Sequence, residues 1–222
     1  LAETGELVSP GMPQAVLTIS GGDTIVLQPN RAVDIQLAGQ VRVAGSGESI
    51  VYELDEGESP RVERYNTLAT PVGGEYQVEL SDGSKVWLNS GGKLKYPAEF
   101  SSKKREVHLE GQGYFSVKRD EDAPFMVRID DFYSVEVLGT EFNITAYEDD
   151  HLIETTLVTG KVKLNIHLVD GRLIQKLLKP NEKATYNRET HRLCIATVNT
   201  ESDKVWREGK IIFCQHPMEQ VL

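Results

Sequence analysis

Cysteine is scarce, positive charge is in deficit and long apolar runs are missing, and each shortage removes a class of function. The 222 residues carry 24 Lys and Arg against 34 Asp and Glu, a formal net charge of −10. Gripping duplex nucleic acid takes a basic footprint that releases phosphate counterions, so nucleic acid is excluded as a partner. The same deficit disfavours docking on an anionic membrane surface. No apolar run approaches the ~20 residues that a bilayer span requires. The opening Leu1-Ala-Glu-Thr-Gly-Glu6 lacks the basic and apolar regions of a signal peptide. The chain therefore reads either as cytosolic or as following a removed export or membrane segment.

Two cysteines, Cys194 and Cys214, are too few for a disulfide framework. Both sit in apolar runs, Leu193-Cys-Ile-Ala and Ile212-Phe-Cys-Gln, so two buried free thiols are expected. A bridge between strands is the alternative in an oxidising compartment. Neither has a second Cys or His at zinc-ligand spacing.

Catalytic signals are equally thin, and no cofactor is implied. The five histidines, His108, His151, His167, His191 and His216, show no H-x-H or H-x-x-x-H spacing. His108 and His167 occupy the polar phase of alternating strands, where an imidazole faces solvent. A cupin-like metal enzyme would need two or more of them to converge in space. The acidic groups Asp120-Glu-Asp122, Asp130-Asp131 and Glu148-Asp-Asp150 read as solvated turns, not as a glycosidase pair or a calcium loop. There is no G-x-S-x-G elbow and no cysteine with an identifiable base. Gly111-Gln-Gly113 and Gly73-Gly74 lack the following helix of a phosphate cradle and read as bulge or close-packing glycines. Trp87, Tyr96, Tyr114 and Phe115 suit core packing better than a sugar platform, although a glycan- or ligand-binding β-domain stays open as the alternative function. An enzyme is not expected.

What is abundant is strand pattern. Ala15-Val-Leu-Thr-Ile19 and Thr24-Ile-Val-Leu27 flank the turn Ser20-Gly-Gly-Asp23. Val33 to Leu37, Val41 to Val43 and Ile50 to Leu54 follow, then the polar stretch Asp55-Glu-Gly-Glu-Ser-Pro-Arg61. Further on, Tyr76, Val78 and Leu80 share one face, with Glu75, Gln77 and Glu79 on the other. The same alternation runs through Val107 and Leu109, through Phe125, Val127 and Ile129, and through Val162, Leu164, Ile166 and Leu168. Asp82-Gly83, Asp130-Asp131 and Asp170-Gly171 mark turns between them. One-sided alternation buries one face and wets the other. The predicted fold class is all-β: a two-layer antiparallel sandwich or roll of many short strands. After Trp206-Arg-Glu-Gly, Lys210-Ile-Ile-Phe-Cys214 reads as a strand. His216-Pro-Met-Glu-Gln-Val-Leu222 reads as a helix start with Pro217 in its first turn, so a small α+β domain is expected to begin there.

Several blocks from about Tyr65 to Ala196 resemble the FecR family in order. They are Thr70-Pro71, Asp82-Gly-Ser-Lys-Val-Trp-Leu-Asn89, Leu94-Lys-Tyr-Pro-Ala-Glu-Phe100, Arg105 through Val117, and Pro124-Phe-Met-Val127. Val137-Leu-Gly-Thr-Glu-Phe-Asn143, Val158 to Leu164, and Pro180 with Ala184 and Tyr186 complete the set. Family members commonly carry Glu-Ala where this chain has Gln112-Gly113, and a serine near Gly91-Gly92. FecR proteins are iron-dicitrate transport regulators, membrane-bound anti-sigma factors of Gram-negative bacteria.

The resemblance implies a domain plan and partners. Residues 1–14 would be an extension after a removed membrane segment, and 15–60 strands packing on the main domain. Residues 61–200 would be the FecR-like body, and 201–222 the truncated start of a domain similar to the signalling domain of TonB-dependent transporters. A cytoplasmic sigma-binding segment and one transmembrane helix would precede Leu1, making this the periplasmic domain of a single-pass inner-membrane protein. Its expected partners are the N-terminal signalling domain of a TonB-dependent outer-membrane transporter and, through the cytoplasmic segment, an extracytoplasmic-function (ECF) sigma factor. Lys210, Ile211, Ile212, Phe213 and Cys214 are the candidate partner-binding strand, since an exposed strand can pair with another chain's edge.

Overall fold

The computed structural model describes residues 12–28, 33–37, 41–46, 49–54 and 65–200. Nineteen strands and no helix occur among them. In chain order they are β1 (Met12–Pro13), β2 (Ala15–Thr18), β3 (Thr24–Leu27), β4 (Val33–Leu37), β5 (Val41–Ser46), β6 (Ser49–Leu54), β7 (Tyr65–Ala69), β8 (Gly74–Glu79), β9 (Lys85–Leu88) and β10 (Lys93–Pro97). There follow β11 (Arg105–Ser116), β12 (Phe125–Arg128), β13 (Tyr133–Val137), β14 (Glu141–Ala146), β15 (Leu152–Thr159), β16 (Val162–His167), β17 (Leu173–Leu178), β18 (Glu182–Asn187) and β19 (Leu193–Thr197).

The ladders resolve into two layers joined through β11. One layer runs β3-β2-β7-β10-β11-β12-β13-β16-β17, and the other β4-β5-β6-β8-β9-β11-β14-β15-β18-β19. The predicted all-β sandwich is therefore what forms. Its inward faces share one apolar core, in which Leu68, Val107, Val127, Val135 and Leu164 of the first layer meet Val78, Leu88, Phe142, Ile153 and Ala184 of the second. Aromatic rings lock the layers together. Across the layers Phe115 meets Phe125 edge-on at 6.5 Å and Tyr133 lies 5.5 Å from Tyr186, while within the second layer Phe115 stacks on its ladder partner Phe142 at 5.0 Å. Each such pair adds roughly 0.5–1.5 kcal/mol beyond the area it buries.

Most ladders are antiparallel, but β1–β8, β6–β8 and β11–β12 are parallel. The chain path explains the β6–β8 pair. It leaves β6, crosses the other layer as β7, and returns as β8 beside β6 in the same direction. A parallel pair needs such a crossover, and here a strand of the facing layer supplies it where a helix usually would.

β11 changes layers in mid-strand. Lys93–Lys95 of β10 pair with its first half, and Gly113–Ser116 pair with β9. The change falls at Gly111, whose φ of +87° is open to glycine. A Cβ there would stand 2.8 Å from Gly92 Cα. The close-packing reading holds for Gly111, Gly113 and Gly74, whereas Gly73 is a turn glycine with φ +77° and open space around it. A Cβ on Gly113 would press on Leu109, and one on Gly74 would meet the Gln14 carbonyl at 2.8 Å.

One expectation is corrected. The Cys194 thiol is free but exposed, not buried. Among the described residues β19 is the last strand of its layer, and four of its five residues are exposed. An apolar run marks a core only where a facing layer covers it. Cys214 lies outside the described residues.

Candidate functional site

The ordered sequence blocks turn out to brace the sandwich. Asp82 holds the β8–β9 turn by accepting hydrogen bonds from the Ser84 amide at 2.9 Å and the Ser84 hydroxyl at 2.7 Å. Its carboxylate also receives Arg105 Nη1 at 2.8 Å. Arg105 is buried and donates to the carbonyls of Ala123 at 2.7 Å and Lys118 at 2.9 Å. Ser84 Oγ accepts the Lys118 amide. One guanidinium thus ties the start of β11 to the β8–β9 turn and to the 117–124 crossing. Every acceptor it meets is structural.

The block Val137 to Asn143 is a corner. Gly139 and Thr140 carry the chain from β13 in one layer to β14 in the other, and Gly160 and Lys161 carry it back from β15 to β16. The two corners interlock: Thr140 Oγ1 donates to the Lys161 carbonyl at 3.0 Å, and a Cβ on Gly160 would stand 2.8 Å from Thr140 Oγ1. Asn89 Nδ2 donates to Gln112 Oε1 at 2.8 Å, so Gln112 braces the β9–β10 turn. Thr70 Oγ1 accepts the Gly92 amide at 2.9 Å beside it.

The titratable groups do not converge. Among the described residues, no three His, Cys, Asp or Glu side chains could jointly hold a metal ion. His151 contacts Glu189, and His191 shares a hydrogen bond with the Tyr186 hydroxyl. His108 sits beside Glu106 on a partly exposed ionic cluster with Lys104 and Arg128. Partial burial lowers the His108 pKa, against the pull of Glu106. Burial would raise the Glu106 pKa, but hydrogen bonds and charge from Lys104 and Arg128 outweigh it and hold the carboxyl below its ordinary value. These are paired surface charges, not a poised acid and base.

An open groove lined by Leu109, Glu110, Ile129, Asp130, Glu148 and Arg188 contains no aromatic ring. Arg188 spends its head group on the loop, donating to the carbonyls of Tyr147 and Asp150 at 2.9 and 2.8 Å. Of the aromatics a sugar platform would use, Tyr96, Tyr114 and Phe115 are buried. Trp87 is half-buried and packs edge-on to Tyr114.

Among the described residues, β17 pairs with β16 alone and β19 with β18 alone. On β17, Leu173 is 48% and Leu177 70% exposed, and Ile195 of β19 is also exposed. Sequence reasoning missed this surface. The signal available was Leu173-Ile-Gln-Lys-Leu-Leu178, whose apolar residues fall in adjacent pairs, unlike the alternating run Val162 to Leu168 before it. The anticipated partner-binding strand, Lys210, Ile211, Ile212, Phe213 and Cys214, lies outside the described residues.

No helix among the described residues is long and apolar enough to cross a membrane. No curated protein sequence matches the chain significantly. Two solved structures, each of a candidate anti-sigma factor from Parabacteroides distasonis, are similar to it. One is 33% identical over 71% of each chain, the other 34% identical over 70% of each, and both superpose with a TM-score of 0.61. The sequence profile described as FecR protein matches residues 66–163, the stretch that holds the Asp82–Arg105 clamp and the interlocked corners. A body whose recurring residues are spent on bracing two layers, and whose relatives share it at this identity, belongs to the FecR family.

Proposed function

We propose that this chain is the periplasmic sensor part of a transmembrane anti-sigma factor. It would relay the state of a TonB-dependent outer-membrane transporter to an ECF sigma factor. The reading is carried by FecR membership together with structural relatives described as candidate anti-sigma factors. The physical form suits the task. A cross-braced sandwich transmits a pull without deforming, and its polar motif residues are occupied in holding it together. The partner-binding strand is Lys210 to Cys214, which would join the edge of the transporter's N-terminal signalling domain by β-addition. A transmembrane helix and a cytoplasmic sigma-binding segment would complete the protein on the N-terminal side.

The test is capture of a purified transporter signalling domain by this chain extended past Leu222. Binding is expected, and Ile212→Asp should abolish it. Absence of binding with both partners folded overturns the reading.

A further inference from the structure

The described chain enters and leaves the sandwich at opposite ends. Met12 stands opposite Gly74, where β8 starts, and Thr200 bonds to Asn181, in the turn before β18. From β8 through β9, β11, β14, β15 and β18 to β19, each strand is antiparallel to the one before. β19 therefore runs in the same direction as β8, beside which β1 lies parallel. Tension between residues 12 and 200 is directed along the strands. Ladder hydrogen bonds lie across the strands, so such a pull loads them together, in shear.

The two anchors are unequal. On the N-terminal side β2 is held between β3 and β7, with Ala15 and Leu17 fully buried. Among the described residues β19 has one ladder, to β18, and four of its five residues are exposed. Beyond it Val198 donates its amide to the Asn181 carbonyl at 2.8 Å, and the Thr200 hydroxyl donates to Asn181 Oδ1 at 3.0 Å. The turn that starts β19 is pinned more firmly. Arg188 donates to the carbonyls of Tyr147 and Asp150 at 2.9 and 2.8 Å, and its Nε faces the Asp130 carboxylate at 3.7 Å. With β19 pulled out, tension would arrive at the C-terminal end of β18 and point back along it. That geometry opens a ladder one bond at a time, and Arg188 stands where the peeling would begin.

We propose that β19 is a tension-released strap: axial load strips residues 189–200 from β18, the two-layer body keeps its shape, and Arg188 stops the tear. Stripping uncovers the ladder edge of Glu182 to Asn187 and yields at most about 40 Å of chain. Its use in a relay rests on the anti-sigma reading, but the strap itself needs no partner, so it stands or falls separately from capture of a signalling domain. A denaturant pulls in no direction and does not single β19 out.

Optical tweezers applied to the intact 222-residue chain, with handles at its two termini, test the strap. A step of up to about 40 Å should precede unfolding of the body, and at lower force. Thr185 stands directly opposite Cys194 across the ladder, about 5 Å away between Cα atoms, a distance that a disulfide spans. In Thr185→Cys combined with Cys214→Ser, oxidation should staple β19 to β18 and leave only residues 195–200 free to strip, which halves the step. Reduction should restore it. Arg188→Ala should lengthen the step by the six residues of β18, about 20 Å. Peptide mapping checks the staple, and far-ultraviolet dichroism checks that each variant is folded. Unfolding of the body with no earlier step, or a first step of unchanged length in the stapled protein, overturns the proposal. An unchanged step in Arg188→Ala overturns the stop.

Discussion

Arg105 shows what a motif residue does here. A buried guanidinium is tolerable only if its donors are all met, and Arg105 reaches the Asp82 carboxylate and three backbone carbonyls. Lysine is a point charge on a flexible stem and cannot span that set. Arg105→Lys should lower stability by about 2–4 kcal/mol, and Arg105→Ala by about 3–5, because each strands buried acceptors or the Asp82 charge. Urea denaturation measures it, and a change below 1 kcal/mol for Arg105→Ala would disprove the clamp. The sequence showed Asp82 and Arg105 as members of separate blocks, 23 residues apart. That they form one pair was invisible, since contact across that separation is set by the turn of β8 into β9. Cys194 makes the complementary point: its apolar neighbours forecast burial, but the end of a layer left it in solvent.

At the level of elements, alternation was a dependable guide. Val33–Leu37 and Thr24–Leu27 form strands with the bounds the pattern indicates, because a period of two survives any tertiary context that covers one face. The bends were less legible. β11 is continuous in sequence pattern from Arg105 to Ser116, yet it serves both layers, and the hinge is Gly111 with φ +87°. Alanine there is strained twice, by the left-handed backbone and by a Cβ 2.8 Å from Gly92 Cα. Gly111→Ala should cost about 2 kcal/mol or more, beyond the ~1 kcal/mol of the left-handed conformation alone. By contrast Gly171→Ala, at φ +85° with open space around it, should cost only that smaller amount. Thermal melts of the two variants compare them directly, and equal shifts would refute the role given to close approach. The surroundings of β17 were the least legible of all: the paired apolar residues of Leu173–Leu178 set it apart, but which strand lies beside it is a property of the assembled layer, and among the described residues only β16 does.

For the whole molecule, the decisive feature is that one apolar core runs through both layers, from Leu17 of β2 to Tyr186 of β18. Strands from 15–60 join the same two layers as the FecR-matching stretch, through β2–β7 and β6–β8. With one core shared by all the described strands, their chemical unfolding should follow a single transition, with tyrosine fluorescence and far-ultraviolet dichroism superimposing. Resolved transitions for the two probes would show instead that the N-terminal strands fold as a unit of their own. A body that yields as one piece is also what the proposed relay would require.

Composition and periodicity by themselves determined that this chain is acidic, built of strands, and folded as two layers, because burial of one strand face and hydration of the other are local consequences of residue order. The blocks it shares with the FecR family were likewise readable as sequence. Only the tertiary structure decided which strands pair in parallel, where β11 passes between layers and which apolar residues stay wet. Those depend on contacts between residues far apart in the chain, and no local pattern encodes where a layer stops.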